Sequence, residues 1–456
     1  MVKKAEKVGK VKVALGLSGG VDSAVSAYLL KKSGYDVYCV YLNCYDGDTP
    51  GCRGDNDRKD ALAIAMRLGL PFQVLDFRKE YQAAVIDYFK KEYLLGRTPN
   101  PDVVCNRDIK FGLFLDWAIK EGFDYIATGH YADGPDFSER KIVGTPASAE
   151  KRATSRERIV REVGEWQAKA GATFLRIPKD LHKDQTYFLW AVPKEKFKRV
   201  LFPLGNLLKT EVREIALKIG LPVAQKKDST GICFVGEVRV EDFLKKLGVK
   251  EKAGEVVIRV SLSFPRKRES IYIDSGSKPG MTKESAGTTK YRYQVIGHHR
   301  GVWFYTIGQR HGFEVNRLTG QQAEKVEKAD QPPLYVIEKD IKKNLLVVGF
   351  GADCYRDSFE VAEWNWLTDR VREIREIGEI RARIRHGGEL IPCCVEMIGG
   401  HSLKIACPTS HGRSPGGREN CKLKIKLSAA QRGVAPGQSA VFYDKNGVVL
   451  GGGVIQ

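Results

Sequence analysis

The chain has 456 residues, 42% of them hydrophobic, and 75 Lys and Arg against 56 Asp and Glu give a formal net charge of +19. That length points to two or three domains with real cores, while no run approaches the roughly 18 apolar residues of a membrane span and no apolar stretch follows the basic MVKKAEKVGK start to act as a signal peptide. A cytoplasmic protein with no membrane partner is therefore expected, and the positive excess favours nucleic acid as partner, because each phosphate neutralised releases a condensed counterion.

From Lys12 to about Leu221 short apolar runs alternate with helical patterns. VALGL (Val13–Leu17), DVYCVYL (Asp36–Leu42), FQVLDF (Phe72–Phe77) and YIATG (Tyr125–Gly129) read as buried strands, with helices over Ser23–Ser33, Arg58–Leu68 and Tyr81–Tyr93. Such alternation predicts βαβ units and an α/β fold with a parallel sheet covered on both faces. After about residue 229 glycine-bounded strands take over: WFYTIGQ, PLYVIEKD, NLLVVGF, EIRARIR and SAVFYDKNGVVLGGGVI, the last with a hairpin turn at Asp444–Gly447. The expected division is a catalytic domain over 10–228, a small β-rich central domain over 229–350 and a C-terminal β-barrel over 357–456. Three charged or Ser/Gly/Pro-rich stretches, Pro135–Ala172, Arg259–Tyr293 and Cys407–Cys421, fit neither texture and read as insertions.

LSGGVDS, Leu17 to Ser23, lies between a buried strand and a helix. Gly19 and Gly20 let the backbone approach an anion, the helix N-terminus presents free N–H groups, and Ser18 and Ser23 add hydroxyls: together they make a phosphate pocket. It is not a Walker loop, since counting from Gly16 places Val21 and Asp22 where Gly and Lys are required. Ten cysteines without any Cys-x-x-Cys pair argue against a zinc ribbon, so a functional cysteine must be found by its surroundings. Cys105, in TPNPDVVCNRDIKF, sits near the start of an expected helix, Ile109–Lys120, with Arg107 and Lys110 beside it and Asp102 as a nearby proton acceptor or donor. Cys233, in KKDSTGICFVGE, follows an expected turn at Asp228–Gly231. Each cysteine taken alone is also compatible with a buried structural role.

SGGVDS resembles the PP-loop of ATP pyrophosphatases, which cut ATP between its α and β phosphates. Taken with NPDVVCN, TGHYA, KDQTYFLW, LFPLGNL, KTEVREIA, DSTGICFVGE, YTIGQR and PGQSAVFYD, all in order, the chain resembles the tRNA-specific 2-thiouridylases, the MnmA/TrmU family. The resemblance implies an adenine nucleotide α hydrolase-like catalytic domain, with ATP and Mg²⁺ bound by Gly16, Leu17, Ser18, Gly19, Gly20, Val21, Asp22 and Ser23, by the backbone of Leu42 and by Gly129. It implies conversion of the tRNA wobble uridine to 2-thiouridine. Cys233 would receive sulfur as a persulfide from a donor protein, a cysteine desulfurase or sulfur-relay protein. Cys105 would close a disulfide with Cys233 after delivery, and Asp102 would serve as acid or base. The same three residues are alternatively ligands for an iron–sulfur cluster. For tRNA the matching positions are Asn100, Pro101 and Asp102 at the target base, Lys183, Asp184 and Gln185, and Arg385; at position 386 the family usually has Tyr, and this chain has His386. His130 of TGHYA reads as structural.

Overall fold

The computed structural model describes residues 10–45, 54–134, 175–228, 233, 239–261, 291–315, 332–368, 379–398 and 422–456. Five strands, β1 (Lys12–Gly16), β2 (Asp36–Asn43), β3 (Phe72–Asp76), β4 (Tyr125–Ala127) and β5 (Val200–Leu201), form one sheet in the order β3-β2-β1-β4-β5. Every pairing in it is parallel. The chain builds outward from β1 to β3, then returns to place β4 on the other side of β1. The crevice at the carboxyl ends of β1 and β4 is thus a topological switch point, where open parallel sheets bind ligands. Val13, Leu15, Ile126 and Ala127 are fully buried, as the apolar runs require of a sheet covered on both faces. The helix Val21–Lys32 follows β1 directly and buries Ala24, Val25, Ala27 and Leu30 against it.

Between β3 and β4 the chain makes two helical arms. The first runs through Arg78–Tyr81, a wide-turn segment at Gln82–Ile86, and Asp87–Leu94; the second through Pro101–Val104, a nine-residue wide-turn segment at Cys105–Leu113, and Phe114–Lys120. The second arm therefore starts at Pro101, eight positions before the expected Ile109. Proline at the first helical position loses no bond there, because that N–H would be unpaired in any case. π-type turns tend to mark functional positions, and here one begins at Cys105.

The central sheet has the order β8-β7-β6-β10-β9, made of β6 (Gly254–Ser261), β7 (Tyr291–His299), β8 (Glu314–Val315), β9 (Tyr335–Asp340) and β10 (Leu345–Gly349). Arg259–Ser261 and Tyr291–Tyr293, read from sequence as the ends of an insertion, are paired strand; the rest of that stretch, the other two insertions and the turn at Ser229–Gly231 lie outside the described residues. WFYTIGQ is not a strand. Val302–Phe304 makes a single 3₁₀ turn, bracketed by Gly301 at φ +141° and Gly308 at φ +86°, which bend the backbone out of any ladder. The last unit is a closed barrel, β11-β14-β13-β12-β15-β16, built from β11 (Tyr355–Trp366), β12 (Ile380–Arg383), β13 (Ile391–Ile398), β14 (Lys422–Arg432), β15 (Ser439–Tyr443) and β16 (Val449–Ile455). Its expected hairpin turn is present, with Asp444 Oδ1 accepting from the N–H groups of Asn446 and Val448 at 2.8 Å. The α/β class, the parallel sheet and the terminal barrel are as the sequence predicted.

Candidate active site

The loop after β1 is shaped as an anion cradle. Gly19 has φ +77°, and a Cβ there would meet the Asp57 carbonyl oxygen at 2.2 Å, so only glycine fits. The Ser23 hydroxyl accepts from the Ser18 N–H at 3.1 Å and donates to the Gly20 carbonyl at 3.1 Å, bracing the turn. The helix Val21–Lys32 begins at Gly20 with no side-chain cap, leaving its first-turn N–H groups for a ligand. Gly129, after β4, closes the far side: a Cβ there would lie 2.7 Å from the Ser23 nitrogen. Gly16, Leu17 and Val21 carry the loop at the carboxyl end of the central strand β1, and Leu42 lies buried near the end of β2, opposite Leu75 of β3.

Around the cradle runs a charged network that local sequence does not announce. Lys209, only 11% exposed, donates to Asp22 at 2.6 Å and pairs with Asp228 at 2.9 Å. The Tyr131 hydroxyl also donates to Asp22, at 3.1 Å. Asp228 further pairs with Lys183 at 2.7 Å and Arg213 at 2.6 Å. Burial works against ionisation of Asp228, but the hydrogen bonds from Lys183 and Lys209 outweigh it and hold the carboxyl down at about 2. Lys226 ties the loop to the neighbouring helix, donating to the Gly19 carbonyl at 3.0 Å while pairing with Asp57 and Asp60.

The two cysteines, 128 positions apart, meet. Cys105 Sγ and Cys233 Sγ are 3.8 Å apart, and Asp102 Oδ1 accepts from the Cys233 N–H at 3.0 Å. The Tyr81 hydroxyl donates to the Cys233 carbonyl at 2.5 Å. Cys105 is fully buried whereas Cys233 is half-buried. Their acidities part accordingly. The hydrogen bond from Cys105 and the ammonium of Lys110 hold Cys233 below the ordinary thiol range against the cost of its burial, while burial pushes Cys105 well above that range. Arg107, expected to act on the thiol, turns away and pairs with Asp108 at 2.7 Å; Lys110 is the cation at the sulfurs. It also reaches His130 Nε2 at 3.5 Å, and His130 Nδ1 lies 2.9 Å from Thr128 Oγ1. Burial and Lys110 keep that imidazole neutral, so Nε2 faces the ammonium as acceptor and Nδ1 carries the proton. His130 thus links the thiol pair to the strand end beside the cradle. Burial raises the Asp102 carboxyl above its ordinary value, partly offset by the Cys233 N–H and Lys110.

The remaining candidates are spread along the seam with the barrel. Asn100 and Pro101 are buried at the start of the Cys105 arm, with Asn100 hydrogen-bonded to Tyr187. Next to Cys105, the buried Oδ1 of Asn106 has no hydrogen-bond partner among the described residues. Lys183 stands in the charged network above; Gln185 Oε1 accepts from the Tyr131 N–H at 2.9 Å. Asp184 is buried, accepts from Thr186 N–H and Oγ1 at 2.9 and 2.6 Å, and pairs with Arg383. Arg385 and His386 are exposed, the His386 ring 4.5 Å from that of Phe188. Arg385 lines a cleft of about 840 Å³ where all three units meet, with Thr98, Thr306 and Arg432. This cleft holds neither the cradle nor the thiols, but its wall at Thr98 leads straight into the Asn100–Asp102 segment. That wall is pinned by the barrel, the Thr98 N–H donating to the Pro436 carbonyl at 2.8 Å and Gln438 Nε2 to the Thr98 carbonyl at 2.9 Å.

Comparison with known proteins agrees with this arrangement. Residues 11–237 match the family model described as tRNA methyl transferase HUP domain, 277–350 its PRC-barrel domain, and 417–455 an aminomethyltransferase beta-barrel domain. Curated relatives bearing the name tRNA-specific 2-thiouridylase MnmA include that of Listeria welshimeri, 35% identical over 98% of this chain and 94% of its own. Those of Christiangramia forsetii (34%, over 97% and 99%) and Tolumonas auensis (33%, over 98% and 97%) are similar. The solved U34-tRNA thiolase NcsA from Methanococcus maripaludis, which has a 4Fe–4S cluster, overlaps 52% of this chain and 64% of its own at 18% identity and a TM-score of 0.29, too loosely to carry the cluster across. With three matched domains in order and about a third of residues identical along nearly the whole length, this chain belongs to the tRNA-specific 2-thiouridylase family of PP-loop enzymes.

Proposed function

We propose that the protein replaces O2 of the wobble uridine of tRNA by sulfur, activating O2 with ATP and delivering sulfur from a persulfide on Cys233. The observation that carries this reading is the thiol pair at 3.8 Å, with Asp102 bonded to the backbone of one partner and three residues before the other. A carbonyl oxygen is a poor leaving group, so it must first be made into a good one. The uridine O2 attacks the α-phosphorus of ATP and the N3 proton passes to Asp102, whose raised basicity suits the task. The bond between Pα and the bridging oxygen breaks, and pyrophosphate leaves with the electron pair. The terminal sulfur of the Cys233 persulfide then attacks C2 and AMP departs. Finally Cys105 gives up its proton as its sulfur attacks Cys233 Sγ, the sulfur–sulfur bond to the nucleoside breaks, the leaving thiouridine takes that proton on N3, and a Cys105–Cys233 disulfide remains. A two-electron reductant, such as a dithiol, reopens it. Reaching a wobble base requires extruding it from its stack, at a cost of about a few kcal/mol.

The residues fit the groups this chemistry needs. The cradle at Gly19, Gly20 and the helix N-terminus suits a triphosphate. Asp22, in the loop itself, would hold the Mg²⁺ that accompanies ATP, and the ion would screen charge on the departing pyrophosphate. The sulfur donor, a cysteine desulfurase or relay protein, would load Cys233, the more exposed of the pair. An iron–sulfur cluster does not fit as well: no three His, Cys, Asp or Glu side chains come together as a metal site among the described residues, and Asp102 is turned to the Cys233 amide. Domains 10–228, 229–350 and 357–456 would serve activation, connection and tRNA contact, with Lys183, Gln185, Arg385 and His386 towards the RNA. The test is incubation of the protein with tRNA, ATP, a desulfurase and cysteine, followed by nucleoside mass spectrometry and nucleotide chromatography. The expected products are 2-thiouridine, AMP and pyrophosphate, with little AMP when tRNA is omitted. ADP as the product, or AMP formed equally without tRNA, would overturn the reading.

A further inference from the structure

We propose that Lys209 is the phosphate-binding cation of the nucleotide site, doing from a distant helix what the lysine of a Walker loop does from within its own loop. This rests on the reading of the cradle as an ATP site. LSGGVDS contains no cation, yet cleavage between the α and β phosphates gathers negative charge on pyrophosphate, which a nearby ammonium stabilises as it develops. Lys209 opens the helix Lys209–Lys218, 187 positions after Asp22, and its Nζ lies 2.6 Å from Asp22 Oδ1 at the lip of the cradle. It is 11% exposed and 5.8 Å from the centre of the Tyr131 ring, so its stem is fixed and only its head group can exchange partners.

The partners are arranged for such an exchange. Lys209 bridges two carboxylates, Asp22 and Asp228, but Asp228 has Lys183 at 2.7 Å and Arg213 at 2.6 Å as well. Asp228 therefore remains neutralised when Lys209 moves. Lys209, Lys183 and Arg213 are the cations of this group, and Asp22, Asp228 and Asp180, whose Oδ2 accepts from the Lys209 N–H at 2.8 Å, are its carboxylates. A triphosphate entering beside Asp22 is the anion that can take over the Lys209 head group from that carboxylate. Lys226, the other lysine at the loop, is committed to Asp57 and Asp60 and to the Gly19 carbonyl, and serves the loop's shape.

The experiment measures nucleotide binding to the full chain by titration calorimetry in EDTA, with ATP and AMP as probes, for wild type, Lys209→Met, Lys209→Arg, Asp22→Asn and Lys209→Met/Asp22→Asn. Lys209→Met should weaken ATP by about tenfold or more while AMP stays within about twofold, and Lys209→Arg should recover part of the loss. The Lys209→Met loss should persist in the Asp22→Asn background. Were Lys209 only a counter-ion for Asp22, the loss would vanish there, and the proposal would fall. Equal losses for ATP and AMP, or a fall in melting temperature that tracks the affinity, would likewise overturn it in favour of a scaffold role. Absence of ATP binding by the wild type, in EDTA and again with excess Mg²⁺, would instead strike down the nucleotide site itself, a separate result from a wild type that binds ATP and a Lys209→Met variant that binds it equally well.

Discussion

Two sulfurs at contact distance with opposite acidities define a direction for the chemistry. Cys233, lowered by the Cys105 hydrogen bond and by Lys110, is the thiol that the proposed reaction loads with sulfur; Cys105, raised by burial, holds its proton more tightly. Lys110 itself is held charged despite burial, because Cys233, Cys105 and Asp102 outweigh its desolvation. Because the Cys233 pKa is depressed, its thiolate fraction at a given pH exceeds that of an ordinary cysteine, and it falls as pH drops through the lowered value. Removing the ammonium by Lys110→Met should move the titration upward and cut the rate of Cys233 alkylation near neutral pH by about tenfold, the change converging to nothing at alkaline pH. Iodoacetamide labelling across a pH series, read by peptide mass spectrometry, checks it. A rate that falls equally at every pH would mean that the substitution has closed access to Cys233 and left its acidity unchanged.

At the scale of elements, the candidate site lies where three turns converge: the loop after β1, the TGH segment after β4 and the start of the Cys105 arm. Gly129 shows how tight that convergence is. Its would-be Cβ meets backbone atoms only, Ser23 N at 2.7 Å and Asp22 C at 3.0 Å, so Gly129→Ala must push back the helix N-terminus that the proposed nucleotide site uses for its phosphates. ATP affinity should drop by about tenfold. Gly122→Ala is the control: at φ +77° with nothing within 4 Å, it should cost about 1 kcal/mol of stability through backbone strain and leave ATP affinity alone. Calorimetry with both variants distinguishes the two effects, and equal affinities would place the nucleotide elsewhere. The cradle and the parallel strands were legible in the sequence because their signals are local: glycines at fixed spacing, and apolar runs of strand length. The start of the arm at Pro101 was missed because the helix was expected only from Ile109, although Pro after Asn is a helix-start signal. Lys209 on Asp22, or Cys105 on Cys233, leaves no local trace, since nothing in a short window says which distant turns the sheet order will bring together. The cysteines were paired through family resemblance, and Lys209 was not found at all.

Across the whole molecule, the barrel is built into the catalytic unit. Arg383 of β12 and Asp184 of the KDQ segment, 199 positions apart, form an ion pair with side chains 9% and 2% exposed. The Arg383 guanidinium lies 5.1 Å from the centre of the Tyr443 ring, and its Nε has no hydrogen-bond partner in the described residues. Neighbouring contacts cross the same seam: Trp190 Nε1 donates to Ser439 Oγ at 2.9 Å, Tyr187 to the Ser439 carbonyl at 2.9 Å, and Asn365 Nδ2 to the Trp190 carbonyl at 2.8 Å. Family resemblance assigned Asp184 to tRNA, and its burial makes the two roles separable. If Asp184 acts by holding the barrel in place, Arg383→Met strands a buried carboxylate and Asp184→Asn a buried guanidinium, each costing about 3 kcal/mol or more. The double variant Arg383→Met/Asp184→Leu removes both charges and should recover much of that loss, since apolar replacements of a buried pair are often tolerated. Urea midpoints measure the stability. Filter binding of tRNA, run at a temperature where every variant is folded, measures the contact. The expected pattern is two destabilised single variants, a double variant close to wild type, and tRNA affinity within about threefold throughout. If instead Asp184→Asn keeps its stability and loses tRNA, the carboxylate reaches RNA after all, and the seam must open when tRNA binds.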